Sequence, residues 1–150
     1  MANRVYRGPN DRQPKTVSRK TVAAALLPCT FVTELAATLA AATAPGPMVR
    51  LLGNRDFYSE GAFTSTSPLL TAYASGDTGV AYTLEPGQTY QVAMAAATYT
   101  FGQELTIAAA GRAAAAASGN IVVGYFRGTP GALSAGDLAD VEIANYYTKA

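Results

Sequence analysis

An all-β domain is the architecture this sequence predicts: a small sandwich or barrel of short antiparallel strands preceded by an extended N-terminal arm. Three observations predict it. Ten of the 14 glycines fall between Gly76 and Gly136 and cut that region into short pieces. Within the pieces, apolar and polar residues alternate with period two, as in Val80-Ala81-Tyr82-Thr83-Leu84-Glu85. Turn signals recur between them, as the many short strands of a sandwich or barrel require.

The arm comes first. Residues 1–20 hold Arg4, Arg7, Arg12, Lys15, Arg19 and Lys20 against Asp11 alone, a local charge of +5 within a chain of net charge +1. Arg50 and Glu34 cancel over residues 21–50, and residues 51–150 carry −4. Val5, Tyr6 and Val17 are the only large apolar side chains from Ala2 to Lys20, too few for a core. Residues 1–44 therefore read as a basic arm and docking segment, and residues 45–150 as the β domain. Three uses of the arm compete: a solvated tail, a phosphate-binding nucleic-acid arm, and a segment that orders on another protein's acidic surface. The third is preferred, with the six basic residues as the binding set.

Residues 22–43 superficially match a secretion signal, but Pro28 and Glu34 interrupt the apolar run, so a non-secreted chain is expected. Segment 21–44 is open between strand and helix, with a short strand at about 29–33 preferred. Pro28 and Thr30-Phe31-Val32-Thr33 favour a short strand at 29–33, whereas Leu35 and Leu39 among alanines favour a helix capped by Thr33. Pro45-Gly46-Pro47 breaks the chain before a strand at 48–52. Residues 54–78 form a long polar connection, which is either functional or packed on a neighbour. Val80–Leu84 and Tyr90–Ala96, joined by Glu85-Pro86-Gly87-Gln88, read as a hairpin. Leu105–Ile107 and Ala139–Ile143 alternate as strands, and Ile121–Phe126, apolar on both faces, reads as a central one. The run Ala113–Ala117, too short for a helix of its own, is read as extended, with a helical turn as the alternative.

The chemistry-bearing residues are few. The chain has no histidine, no tryptophan and a single cysteine, Cys29. This removes histidine triads, histidine metal sites and intrachain disulfides, and composition argues against an enzyme. Cys29 is expected to be a small buried thiol. Glu34, Glu60, Glu85 and Glu104 read as isolated solvated residues. Asp140 and Glu142 share a strand face at a spacing compatible with a weak cation site, though a solvent face is favoured. No phosphate-loop pattern occurs, so no cofactor is expected. The nine tyrosines suit core or interface use better than base stacking.

The series Gly76-Asp77-Thr78-Gly79-Val80-Ala81-Tyr82-Thr83-Leu84-Glu85-Pro86-Gly87, Gly102-Gln103-Glu104-Leu105-Thr106-Ile107, Ser118-Gly119-Asn120-Ile121-Val122-Val123-Gly124-Tyr125 and Ala135-Gly136-Asp137-Leu138-Ala139-Asp140-Val141-Glu142-Ile143 resembles head decoration (cement) proteins of tailed bacteriophages. The resemblance covers about residues 46–150, with a weaker echo at Leu27–Val32, where the family pattern commonly has glycine in place of Cys29. It implies a non-enzymatic virion protein, made in the host cytoplasm, that binds the major capsid protein on the capsid exterior. Such proteins act as homo-oligomers, dimers or trimers, and stabilise the shell. No membrane partner is expected and direct nucleic-acid binding is disfavoured. The rival roles are a tail-tube or head–tail connector subunit, and a nucleic-acid-binding protein using the arm. On this reading the arm becomes ordered only against the lattice, and a chain lacking residues 2–20 keeps its folded body while losing capsid binding.

Overall fold

The computed structural model describes residues 4–9, 11–55 and 68–150. Among them are twelve strands and no α-helix: β1 (Thr16–Val22), β2 (Phe31–Glu34), β3 (Thr38–Ala41), β4 (Val49–Leu52), β5 (Thr78–Thr83), β6 (Thr89–Ala93), β7 (Ala97–Tyr99), β8 (Glu104–Ala108), β9 (Arg112–Ala115), β10 (Ile121–Phe126), β11 (Gly131–Leu133) and β12 (Leu138–Thr148). The first five close into a barrel in the order β1-β3-β2-β4-β5. A second sheet runs β6-β12-β10-β8-β9, and β7 pairs with β11 as a separate ribbon. The two ends of the second sheet approach each other, because Met94 bridges Ala113 and the Ala95 N–H donates to the Ala113 carbonyl at 2.8 Å. The all-β expectation holds, and β10 is central as its two apolar faces require.

The barrel is narrow. Val22, Val32, Leu39, Leu52 and Ala81 fill it, and Gly79 leaves room for them: a Cβ there would lie 2.8 Å from Val22 and 3.0 Å from Leu39. Its outer face contributes Phe31, Val49 and Leu51 to the larger core, where they join Tyr90, Val92, Leu105, Val123, Phe126 and Val141 of the second sheet. One core thus spans both layers. Cys29 sits at the seam. Its N–H donates to Leu52 and its carbonyl accepts from Ala93, both at 2.9 Å, which holds it at φ 67°. That is a left-handed backbone, where glycine fits without strain. Burial pushes the Cys29 thiol up to about 12, and nearby Arg7 opposes the shift.

One turn recurs. In Ala74-Ser75-Gly76-Asp77 the Asp77 N–H donates to the Ala74 carbonyl at 3.1 Å, and the Asp77 carboxylate accepts from the Ala74 N–H at 2.8 Å. Ser134-Ala135-Gly136-Asp137 repeats both bonds at 3.1 and 2.8 Å, and Thr100–Gln103 and Ala117–Asn120 use Gln103 and Asn120 in the same way. The third residue needs positive φ, 90° at Gly76 and 93° at Gly136.

The structure corrects three expectations and decides between the alternatives of a fourth. First, the arm is part of the domain. Val5 and Tyr6 are 1% and 5% exposed within the main core. The Arg7 N–H donates to Thr89 and the Gln91 N–H to Val5, which places this segment along the outer edge of β6. β1 then closes the barrel against β3 and β5. No boundary falls at residue 44, since β1–β3 share a barrel with β4 and β5. A chain without residues 2–20 would lose a barrel strand and is not expected to fold. Second, the open segment 21–44 is strand: β2, Phe31–Glu34, meets the strand preferred at about 29–33, and a turn at Leu35–Thr38, where the Leu35 N–H donates to Thr38 at 2.8 Å, leads into β3 in place of the alternative helix. Third, β5 and β6 do not pair. Both edges of β5 are taken by β1 and β4, so the Glu85–Gln88 turn passes the chain into the second sheet, where β6 pairs with β12. Fourth, Glu34 is not a lone solvated residue, as the ion pairs below make clear. The alanine run is extended as read, with Ala113 and Ala115 opposite Ile107 and Leu105. Most of the long connection, including Glu60, lies outside the described residues.

Candidate functional site

The six basic residues of the arm fall into two groups. Arg4, Arg7 and Lys20 are partly buried, and Arg12, Lys15 and Arg19 are exposed. Arg7 Nε donates to Asp140 at 2.9 Å. Lys20 Nζ caps one end of the barrel, donating to the carbonyls of Leu35 at 2.7 Å and Ala36 at 3.0 Å and standing 3.4 Å from Glu34. Glu34 is also held by Arg50 at 3.0 Å. These contacts are internal, so the structure assigns Arg7 and Lys20 to holding the fold.

Arg12, Lys15 and Arg19 make no ion pair among the described residues. Backbone geometry fixes where each points out. The Arg12 N–H closes a turn on Pro9 at 3.3 Å, and the Lys15 carbonyl accepts from Thr83 at 2.7 Å just before β1 begins. Arg19 lies in a bulge between Val17 and Lys20, at φ 67°. A bulge re-aims a side chain out of the strand's alternation, so Arg19 reaches solvent from inside a barrel strand. The result is a row, in chain order, of three exposed cations: Arg12 and Lys15 ahead of β1 and Arg19 within it.

Asp140, Glu142 and Glu104 are committed to partners within the domain. Asp140 and Glu142 do share a face of β12, but they pair with Arg7 and with Arg127 Nε at 2.8 Å respectively. Glu104 accepts from the Tyr147 hydroxyl at 2.6 Å and from Lys149 at 2.9 Å, and these bonds hold its carboxyl below its ordinary value. No group of three or more His, Cys, Asp or Glu able to hold a metal occurs among the described residues.

Sequence reasoning missed the apolar surface. Leu27, Leu35, Met48, Leu70 and Phe101 are exposed, with Leu70 at 65% and Phe101 at 61%. Leu35 and Met48 lie together at the barrel end capped by Lys20, since the Glu34 N–H donates to Met48 at 2.8 Å. Phe101 tops the Thr100–Gln103 turn with the Arg127 guanidinium 5.1 Å from its ring. No periodicity marks such residues, because none of them lies within a strand. Large exposed side chains of this kind are common at protein contacts.

No family model matches the chain, and no curated protein matches it in sequence. Among solved structures, the crystal structure of the head fiber gp8.5 N base of bacteriophage phi29 is similar, with a TM-score of 0.53 and 12% identity. The match covers 92% of this chain and 98% of that one, so the likeness is of the fold over most of both chains.

Proposed function

We propose that this chain is a non-enzymatic structural protein of a bacteriophage virion, attached to the outside of the head. In this reading it binds the major capsid protein lattice as a homo-oligomer and stabilises the shell. The observation that carries the proposal is the fold shared over nearly the whole of both chains with a phage head fiber base. The turn-and-strand pattern of residues 76–143, similar to head decoration proteins, points the same way from the sequence.

The contact surface proposed is the row Arg12, Lys15 and Arg19, facing acidic capsid surface. Arg4, Arg7 and Lys20, part of the basic set the sequence suggests, are left out because they are partly buried, Arg7 and Lys20 in contacts with their own domain. An exposed ion pair contributes only about 0.2–1 kcal/mol. Three per subunit, repeated over several subunits of one oligomer on one lattice, multiply through effective concentration into firm attachment.

Sedimentation tests this. Purified protein is mixed with empty heads of the phage whose genome encodes it, and the gradient fractions are imaged. Saturable co-sedimentation, with regular added density over the shell, is the expected result. Protein found only on tails or at the portal vertex would support the tail or connector role instead, and protein left at the top of the gradient would overturn head binding altogether.

A further inference from the structure

The barrel and the second sheet leave a groove of about 260 Å³ between the chain entering β2 and the start of β9. Leu26, Leu27, Leu70 and Leu138 line it, and Leu27 and Leu70 stand at its rim, 44% and 65% exposed. The polar side chains in its wall are Thr30 and Arg112.

Arg112 is the unusual one. It is partly buried, yet it holds no carboxylate among the described residues. Arg7, Lys20, Arg50, Arg55 and Lys149, of similar burial, each do. Beside these apolar walls its guanidinium faces no carboxylate among the described residues, so its donors stand open to an incoming one. The partner its planar fork suits best is a carboxylate, taken bidentately. The volume falls below the ~300–1,000 Å³ of small-molecule pockets and matches one or two side chains.

We infer that this groove docks an extended segment of another protein in which an apolar side chain stands next to an Asp or Glu. The apolar side chain fills the space between Leu27 and Leu70, and the carboxylate closes on Arg112. A second copy of this chain fits less well. Among the described residues the most exposed aromatic, Phe101, carries Arg127 with it, which would bring a second guanidinium toward Arg112. The inference stands apart from head binding and is tested without heads.

A random-heptamer display library is panned against the full chain and counter-panned against Arg112→Glu. The expected winners combine a Leu, Ile or Phe with an Asp or Glu. A winner made as a synthetic peptide should shift the backbone amides of Leu27, Leu70 and Arg112, and should bind Arg112→Gln and Leu70→Ser about 10-fold or more weakly. Both side chains reach the surface, so both variants should keep the parent urea midpoint. Failure to enrich any peptide, enrichment of basic or purely apolar ones, or equal binding by both variants overturns the inference. So does an Arg112→Glu chain that loses self-association instead, which would make the groove a contact between copies.

Discussion

Replacing Tyr6 with alanine asks whether the arm belongs to the fold. The Tyr6 ring is 5% exposed and lies 5.5 Å from the Tyr90 ring at an interplanar angle of 53°. Removing a buried aromatic side chain costs about 3–5 kcal/mol, and the tilted pair itself is worth about 0.5–1.5 kcal/mol of that. A loss of about 4 kcal/mol follows. With a urea slope of ~2 kcal/mol/M, the unfolding midpoint falls by roughly 2 M with the slope unchanged. The assay is equilibrium urea unfolding followed by tyrosine fluorescence and far-ultraviolet circular dichroism, with Tyr6→Phe as the control that keeps the ring. A solvated tail would move the midpoint by no more than about 0.5 kcal/mol equivalent. A shift that small would show the pairing of Val5–Arg7 with β6 to be energetically idle, and the separate-arm reading would return.

Gly111→Ala should be among the most damaging single changes. The added Cβ would lie 2.1 Å from the Phe31 carbonyl oxygen at a residue with φ +66°. A loss of at least ~3 kcal/mol is expected, measured by the same unfolding curve. Changing Arg12, Lys15 and Arg19 together to alanine should leave that curve within about 0.5 kcal/mol, weaken head co-sedimentation at least ~10-fold and flatten its dependence on salt. Cys29 gives a pH dependence whose sign follows from burial. The native fold holds the neutral thiol, raised from 9.0 to about 12, so its contribution is complete below pH 9 and falls as pH rises toward 12, by at most ~1.4 kcal/mol per unit. Buried tyrosines such as Tyr73, also raised to about 12, act in the same direction, so the measurement is a comparison. Cys29→Gly, which suits the φ of 67°, should lose less stability between pH 8 and pH 10.5 than the parent. Parallel curves would show that the thiol is not titrating as its burial requires.

The β domain was legible where local rules act alone. Val80, Tyr90, Leu105, Val141 and their alternating neighbours are strands because period two matches a half-buried sheet. Gly76-Asp77 and Gly136-Asp137 are turns because their side chains and φ values leave little choice. Pairing is another matter. Glu85-Pro86-Gly87-Gln88 is a sound turn, and β5 and β6 follow the right pattern on either side. Nothing within those residues states that β1 and β4 already occupy both edges of β5. The arm was misread for a related reason. Val5 and Tyr6 are two adjacent residues without a period, and only the bare edge of β6, more than eighty residues away, gives them a place. The groove beside Arg112 draws its walls from five stretches of chain, and no one of them carries its pattern.

The placement of the arm changes the energetics of attachment. An arm that ordered only on contact would carry a cost of about 2–5 kcal/mol, set against every ion pair it made. Here the backbone of the basic row is already fixed, by the Lys15 carbonyl on Thr83, by the β1 pairing with β5 and by the bulge at Arg19. What binding must still order is three long side chains, at roughly 0.5–1.5 kcal/mol each. The internal cations make that possible. Arg7 on Asp140 ties the segment leading into the row to β12, and Lys20 on Glu34 ties the far end of β1 to the β2–β3 turn. The sequence-level excess of positive charge near the N-terminus is therefore two devices in one stretch: cations that anchor the strand to its own domain, and cations that the anchored strand holds outward.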